Sequence, residues 1–263
     1  MNTRKRFGQH FLEAAWIDRV VEVIRPAPRD VFLEIGPGRG ALTLALAPRV
    51  QRLVAVEIDR DLAPALAARA PANVRVVEAD FLRMDGDALL EPGRTARVAG
   101  NLPYNISTPI LFRLLALAGD GRRITDATVM LQREVADRLA ARPGSRTWGV
   151  LSACQQLRAK VDLLLSLPPG AFRPAPKISS AVVRLTYHPP SPPVRDLDGF
   201  DALVRSIFTQ RRKMLSNALA TYATSRGAEP AAAIEAAGLD GRCRPETLEV
   251  AELARLADVF ASA

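Results

Sequence analysis

The chain reads as an α/β protein with a mostly parallel sheet, followed by a smaller all-helical region. Three observations predict this. Strand-like apolar runs alternate with helix-like stretches over residues 31–140. A glycine-rich turn joins the first of those strands to the helix after it. A proline cluster (Pro189, Pro190, Pro192, Pro193) then precedes sequence that reads as helix to the end.

The elements follow in order. Trp16, Ile17, Val20, Val21 and Ile24 recur at helical spacing, which predicts a helix over 13–25. Val31 to Ile35 reads as a buried strand and Ala41 to Ala47 as the helix after the glycines. Leu53 to Glu57 is a second strand, Leu62 to Arg69 an Ala-rich helix and Val74 to Val77 a third strand. Arg97 to Gly100 is a fourth strand, Pro109 to Leu117 a helix, Ala127 to Leu131 a fifth strand and Val135 to Ala140 a helix. Such alternation favours parallel pairing through right-handed crossovers. After a helix over Val150 to Leu157, Val161 to Leu167 and Ala181 to Tyr187 read as strands with no helix between them, a hairpin-like end to the sheet. Helices are expected at 199–208, 213–225, 230–237 and 245–260. The domains are therefore expected at 1–188 and 189–263.

At 263 residues and 48% apolar, the chain can bury a sizeable core and is not a disordered sequence. No apolar run reaches the length of a membrane span, and the basic N-terminus (Arg4, Lys5, Arg6) lacks a signal peptide's apolar stretch. A cytoplasmic location is expected. Cys154 and Cys243 suit reduced thiols, and two cysteines with two histidines make no metal-ligand cluster. A net charge of +8, nearly all arginine, favours a polyanionic partner or is simply a solvated basic surface.

Gly36-Pro37-Gly38-Arg39-Gly40 between a strand and a helix lets the backbone turn tightly and approach a ligand. A structural turn is the alternative for that loop taken alone. Glu57 ends the second strand, about 20 residues on, where an acid accepts from ribose hydroxyls. Asp80 ends the third strand in Glu78-Ala79-Asp80-Phe81, placed to accept from an adenine amine. An NAD enzyme would share the glycines and Glu57, but it would leave unexplained both Asp80 and Asn101 at the next two strand ends. Asn101-Leu102-Pro103-Tyr104 offers an amide acceptor, a backbone carbonyl, a stiffened turn and an aromatic plate. That set suits an exocyclic amine on a planar base, so cofactor loop and clamp together suggest methyl transfer to an unpaired or flipped base. In Phe172-Arg173-Pro174-Ala175-Pro176-Lys177, Phe172 is either a second stacking plate or a core anchor under a proline loop. Arg173 and Lys177 suit phosphate.

Taken in order, several motifs resemble the ribosomal RNA adenine dimethyltransferase family over essentially the whole chain. They are Arg6-Phe7-Gly8-Gln9-His10-Phe11-Leu12, Glu34-Ile35-Gly36-Pro37-Gly38, Glu57, Asp80, Asn101 to Ser107, and Phe172 to Lys177. The resemblance implies a class I, Rossmann-like methyltransferase fold, a seven-stranded sheet with its last strand antiparallel, and S-adenosylmethionine as donor. It implies cofactor contacts at His10, Leu12, Gly36, Gly38, Glu57, Asp80 and Asn101, with His10 standing where many relatives carry Asn. It implies a target-base clamp at Asn101, Leu102, Tyr104 and Phe172. The implied substrate is a pair of adjacent adenines near the 3′ end of small-subunit (16S) rRNA in an assembling subunit, each receiving two methyl groups. Arg211-Arg212-Lys213 matches the family's C-terminal run and reads as an RNA-facing patch or a solvated helix start. Arg4, Lys5 and Arg6 touch rRNA or form a frayed tail. Large-subunit rRNA methylation, a non-catalytic assembly role and a dinucleotide oxidoreductase are the competing readings. No metal is expected, and monomer is the default state.

Overall fold

The structure, a computed structural model, describes residues 10–86, 93–119 and 123–261. The basic triplet Arg4, Lys5 and Arg6 lies outside them. The chain divides into two compact units, one of Met1–Ala136 with Lys160–Tyr187, the other of Asp137–Ala159 with His188–Ala263. Residues 137–159, read from the sequence as part of the first domain, therefore group with the C-terminal helices.

The first unit is built on a seven-stranded sheet. Its strands are β2 (Val31–Ile35), β3 (Arg52–Glu57), β4 (Val74–Glu78), β5 (Ala96–Asn101), β6 (Ile124–Gln132), β7 (Ala159–Leu167) and β9 (Ser180–Tyr187), in the spatial order β4-β3-β2-β5-β6-β9-β7. Pairings β2–β3, β2–β5, β3–β4 and β5–β6 are parallel, and β6–β9 is antiparallel. The chain starts β2 at the centre, winds outward to β4, returns to β5 and winds the other way. The reversal falls between β2 and β5, and in such sheets ligands lie over the carboxyl ends at that switch point.

Helix α1 (Ala14–Ile24) precedes β2, and α2 (Ala41–Leu46), α3 (Leu62–Ala67) and α4 (Ser107–Ala118) lie between these strands in sequence. Central β2 and β3 are buried almost end to end, whereas edge strand β4 is not. A parallel strand covered on both faces is apolar throughout, which is why these segments read as runs rather than alternations. One core cluster joins Val20, Val21 and Ile24 of α1 to Phe32, Leu42, Leu46, Leu53 and Met130.

Two further strands, β1 (Phe11–Leu12) and β8 (Phe172–Arg173), pair antiparallel as a separate two-stranded sheet. Two residues are too few to show a period, so neither was visible in the sequence. The second unit carries α6 (Val150–Gln156), α7 (Leu197–Phe208), α8 (Leu215–Ser225), α9 (Pro230–Ala236) and α10 (Val250–Ala261); α5 (Arg133–Leu139) spans the division. The Asp196 side chain caps α7 by accepting from the Gly199 N–H.

Candidate active site

Strand register brings the site together. Ile35 pairs with Val56, Glu57 with Glu78 and Asn101 with Met130, so β2 to β5 end side by side. The Gly36 N–H continues the ladder to the Val56 carbonyl at 2.9 Å. A Cβ built on Gly36 would lie 3.9 Å from the Asn101 carbonyl oxygen, so the first and fourth strand ends converge. Above them opens a cavity of about 420 Å3, a size that suits a nucleoside-bearing cofactor. His10, Leu12, Gly36, Gly38, Glu57 and Asp80 line it, as do Asn101, Leu102, Tyr104 and Arg173.

The glycine loop has the geometry its composition predicts. Gly36, Gly38 and Gly40 have φ of 66°, 57° and 76°, left-handed backbone in which a side chain is strained. At Gly38 a Cβ would also lie 3.1 Å from the Phe11 ring, which packs on the loop. The Arg39 guanidinium covers the same ring at 4.6 Å.

Glu57 is buried, and its two carboxylate oxygens accept from the Gly38 N–H at 2.8 Å and the Asp59 N–H at 3.0 Å. Burial pushes its pKa up, and those two bonds oppose the rise. Each oxygen keeps acceptor capacity for a ribose hydroxyl. Asp80 is more open; it accepts from the Leu82 N–H at 3.0 Å and lies 3.5 Å from Arg83.

Glu34 was quoted in the motif but given no role, yet it lines the cavity at 1% exposure with its Oε2 unpartnered. Burial drives its pKa up to about 7. The acid at a strand end beside glycines was the available signal. Phe11 and Ile58 were also missed, both on the cavity wall and Ile58 exposed. They follow or precede assigned residues, and apolar side chains carry no chemical signature of their own.

At the reacting end the amide of Asn101 is fixed. Its Nδ2 donates to the His10 carbonyl at 2.6 Å, and its Oδ1 is buried without a partner. A buried acceptor left unsatisfied costs about 1–3 kcal/mol, so a donor from a ligand is favoured there. The Leu102 N–H bonds the Met130 carbonyl at 3.1 Å, continuing the sheet into the clamp. The Tyr104 hydroxyl bonds Ser180 Oγ at 2.7 Å, and burial raises its pKa. The His10 ring stacks on Tyr104 with centroids 5.2 Å apart and planes at 26°.

Phe172 differs from the clamp role expected of it. It is 1% exposed, belongs to the core cluster with Phe32 and Leu46, and presents no face to the cavity. The core-anchor reading holds instead. Phe172 pairs with Leu12, and the Glu13 N–H bonds the Ala171 carbonyl at 2.9 Å, so Phe172 seats the N-terminal strand over the cavity. Arg173 is exposed and ion-paired to Glu13 at 2.8 Å, and Lys177 is exposed. In the second unit, Arg211 bonds Glu246 at 2.8 Å and the Arg146 carbonyl at 3.1 Å. Arg212 and Lys213 are exposed in the turn before α8 rather than inside it.

A glycine cradle, a buried acid at the second strand end and an orphaned amide oxygen at the fourth fit a methyl donor with a nucleoside at one end. A family model described as "Ribosomal RNA adenine dimethylase" matches residues 1–262. The chain belongs to this family. Its activity is S-adenosylmethionine-dependent methylation of adenine in ribosomal RNA. A relative from Pseudomonas putida named "Ribosomal RNA small subunit methyltransferase A" is 46% identical over 262 residues, covering 98% of this chain and 95% of its own. One from Alcanivorax borkumensis with the same name is 44% identical, covering 98% and 90%. Among solved structures, a dimethyladenosine transferase from Plasmodium falciparum superposes with a TM-score of 0.76 at 23% identity, over 94% of this chain and 96% of that one. The 23S rRNA methyltransferase ErmE gives 0.67 at 27% identity, over 95% and 99%. Among the described residues no helix is long and apolar enough to cross a membrane, and no group of three or more His, Cys, Asp or Glu is placed to hold a metal.

Proposed function

We propose that this protein methylates N6 of two adjacent adenines in the 3′-terminal hairpin of small-subunit rRNA, twice each, as the subunit assembles. The observation that carries this is the buried, partnerless Oδ1 of Asn101 at the edge of the cofactor cavity. The small-subunit assignment is supported by the names of relatives that are 44–46% identical over nearly the whole chain.

Gly36, Gly38, Glu57 and Asp80 would hold S-adenosylmethionine, with Glu57 on the ribose and Asp80 on the adenine amine. When bound, it supplies a methyl group made electrophilic by the adjacent positive sulfur. Adenine N6 is a poor nucleophile because its lone pair is delocalised into the ring. Asn101 Oδ1 and the Leu102 carbonyl accept from the N6 hydrogens, which favours a pyramidal nitrogen and aims its lone pair at the methyl carbon. The bound donor would supply its methyl as the bond to sulfur breaks, and the proton displaced from N6 would pass to water. No strong side-chain base is needed. Tyr104 holds the base by stacking. The exposed Arg173, Lys177, Arg212 and Lys213 suit the RNA backbone, and Arg4, Lys5 and Arg6 are proposed for the same role. The protein is taken to act in the cytoplasm, as a monomer.

The large-subunit alternative is kept in view by the ErmE likeness, while Asn105 and the Arg211-Arg212-Lys213 run favour the small subunit. The test supplies labelled donor with undermethylated small-subunit particles or with naked large-subunit rRNA. Label is expected in the former, and label only in the latter would reverse the assignment. Asn101→Ala should cut the rate by about 10²- to 10³-fold, the loss usual for one preorganised transition-state contact. It should leave particle binding nearly intact. Full activity in that variant would remove the mechanism.

A further inference from the structure

We propose that His10 is a positioning residue of the base clamp, holding Asn101 and Tyr104 in working geometry, and not merely a cofactor contact. The inference rests on the adenine chemistry proposed above and adds a residue to it.

Two separate groups of His10 meet the two clamp residues. Its carbonyl accepts from Asn101 Nδ2 at 2.6 Å. Flipping that amide would set oxygen against oxygen, so the bond dictates that Oδ1 is the acceptor left for an incoming amine. Its imidazole stacks on the Tyr104 ring at 5.2 Å and 26°. That distance and tilt fall in the attractive range for offset aromatic pairs.

The imidazole is itself anchored. Nδ1 lies 2.6 Å from the Pro174 carbonyl, which can only accept, so Nδ1 carries the hydrogen. Tyr104 is anchored from its other end by Ser180. Two rings, each tied by a hydrogen bond, leave Tyr104 little freedom to rotate. One of its faces carries His10, so a purine stacks on the other. Phe172, the aromatic expected to complete the clamp, lies in the core. His10 is therefore the ring that braces Tyr104.

A cofactor contact and a clamp brace predict different losses, which separates them. His10→Ala and His10→Phe are compared with the wild-type full chain on undermethylated small-subunit particles. Saturating rate and S-adenosylhomocysteine affinity are measured for each, with thermal unfolding to confirm folding. The Ala variant should lose about five- to tenfold in kcat, the worth of one aromatic stack. Its S-adenosylhomocysteine affinity should stay within about twofold, because the His10 carbonyl and the glycine loop remain. The Phe variant, which keeps a ring, should recover most of the rate. An unchanged rate in Ala overturns the inference, as does an affinity loss that matches the rate loss. A rate above wild type also overturns it, since the ring would then be blocking the base. So does a folded Phe variant as slow as Ala. Absence of transfer by the wild type would instead remove the small-subunit reading, and this inference with it.

Discussion

Glu34 shows at residue scale what a buried acid beside a binding cavity does. Its carboxyl holds a proton up to about 7 in the folded protein, against 4.5 ordinarily, because burial penalises the charged form. Between those values the folded state binds the extra proton. Stability therefore falls as pH rises through that window and levels off above it. Glu34→Gln removes the titration, so its Tm should decline less than wild type's between pH 5 and pH 8. Parallel melting curves for the two proteins check this; identical slopes would contradict it. Polar side chains that line the cavity were legible in sequence at this scale, since Glu57 and Asn101 close β3 and β5 and Asp80 comes soon after β4. Phe172 was not legible. A phenylalanine between prolines looks the same whether it faces a cavity or a core, and only its burial in the core cluster that holds Phe32 and Leu46 decides.

At the scale of elements, the clamp depends on how closely β5 approaches β2. A Cβ on Gly100 would fall 2.6 Å from the Ile35 carbonyl oxygen, a backbone atom with nowhere to go. Gly100→Ala must separate the strands and shift the next residue, Asn101. We expect it to lower Tm by several degrees, consistent with about 1–3 kcal/mol of overpacking, and to slow transfer at least tenfold. Circular dichroism melting and a labelled-donor assay measure the two effects; wild-type values in both would refute the close-approach argument. The long strands were readable because buried parallel segments are continuously apolar. The short β1–β8 pair was not, because its register is set by Glu13 and Ala171 across more than a hundred residues of chain. That pair begins at Phe11, directly after His10, whose carbonyl accepts from Asn101.

For the whole molecule, alternation of strands and helices foretold the sheet, and the second unit takes up again at His188, beside the proline cluster. What the sequence hid is that residues 137–159 group with the C-terminal helices. Their assignment depends on long-range contacts such as the Arg158–Asp201 ion pair at 2.7 Å, formed between residues 43 apart in sequence. The positive charge belongs to this scale too. Arg212 and Lys213 are exposed, but Arg211 is committed to Glu246, so a run of three cations offers fewer than three to RNA.

One cavity is proposed to bring a donor methyl to the amine of each of two adjacent, unpaired adenines in small-subunit rRNA. Mass spectrometry of that rRNA from cells with and without this protein tests it most directly. The 3′-terminal fragment should carry four additional methyl groups, two on each of two neighbouring adenines, when the protein is present, and none there when it is absent. An identical fragment mass in both, or a methyl difference confined to large-subunit rRNA, would contradict it.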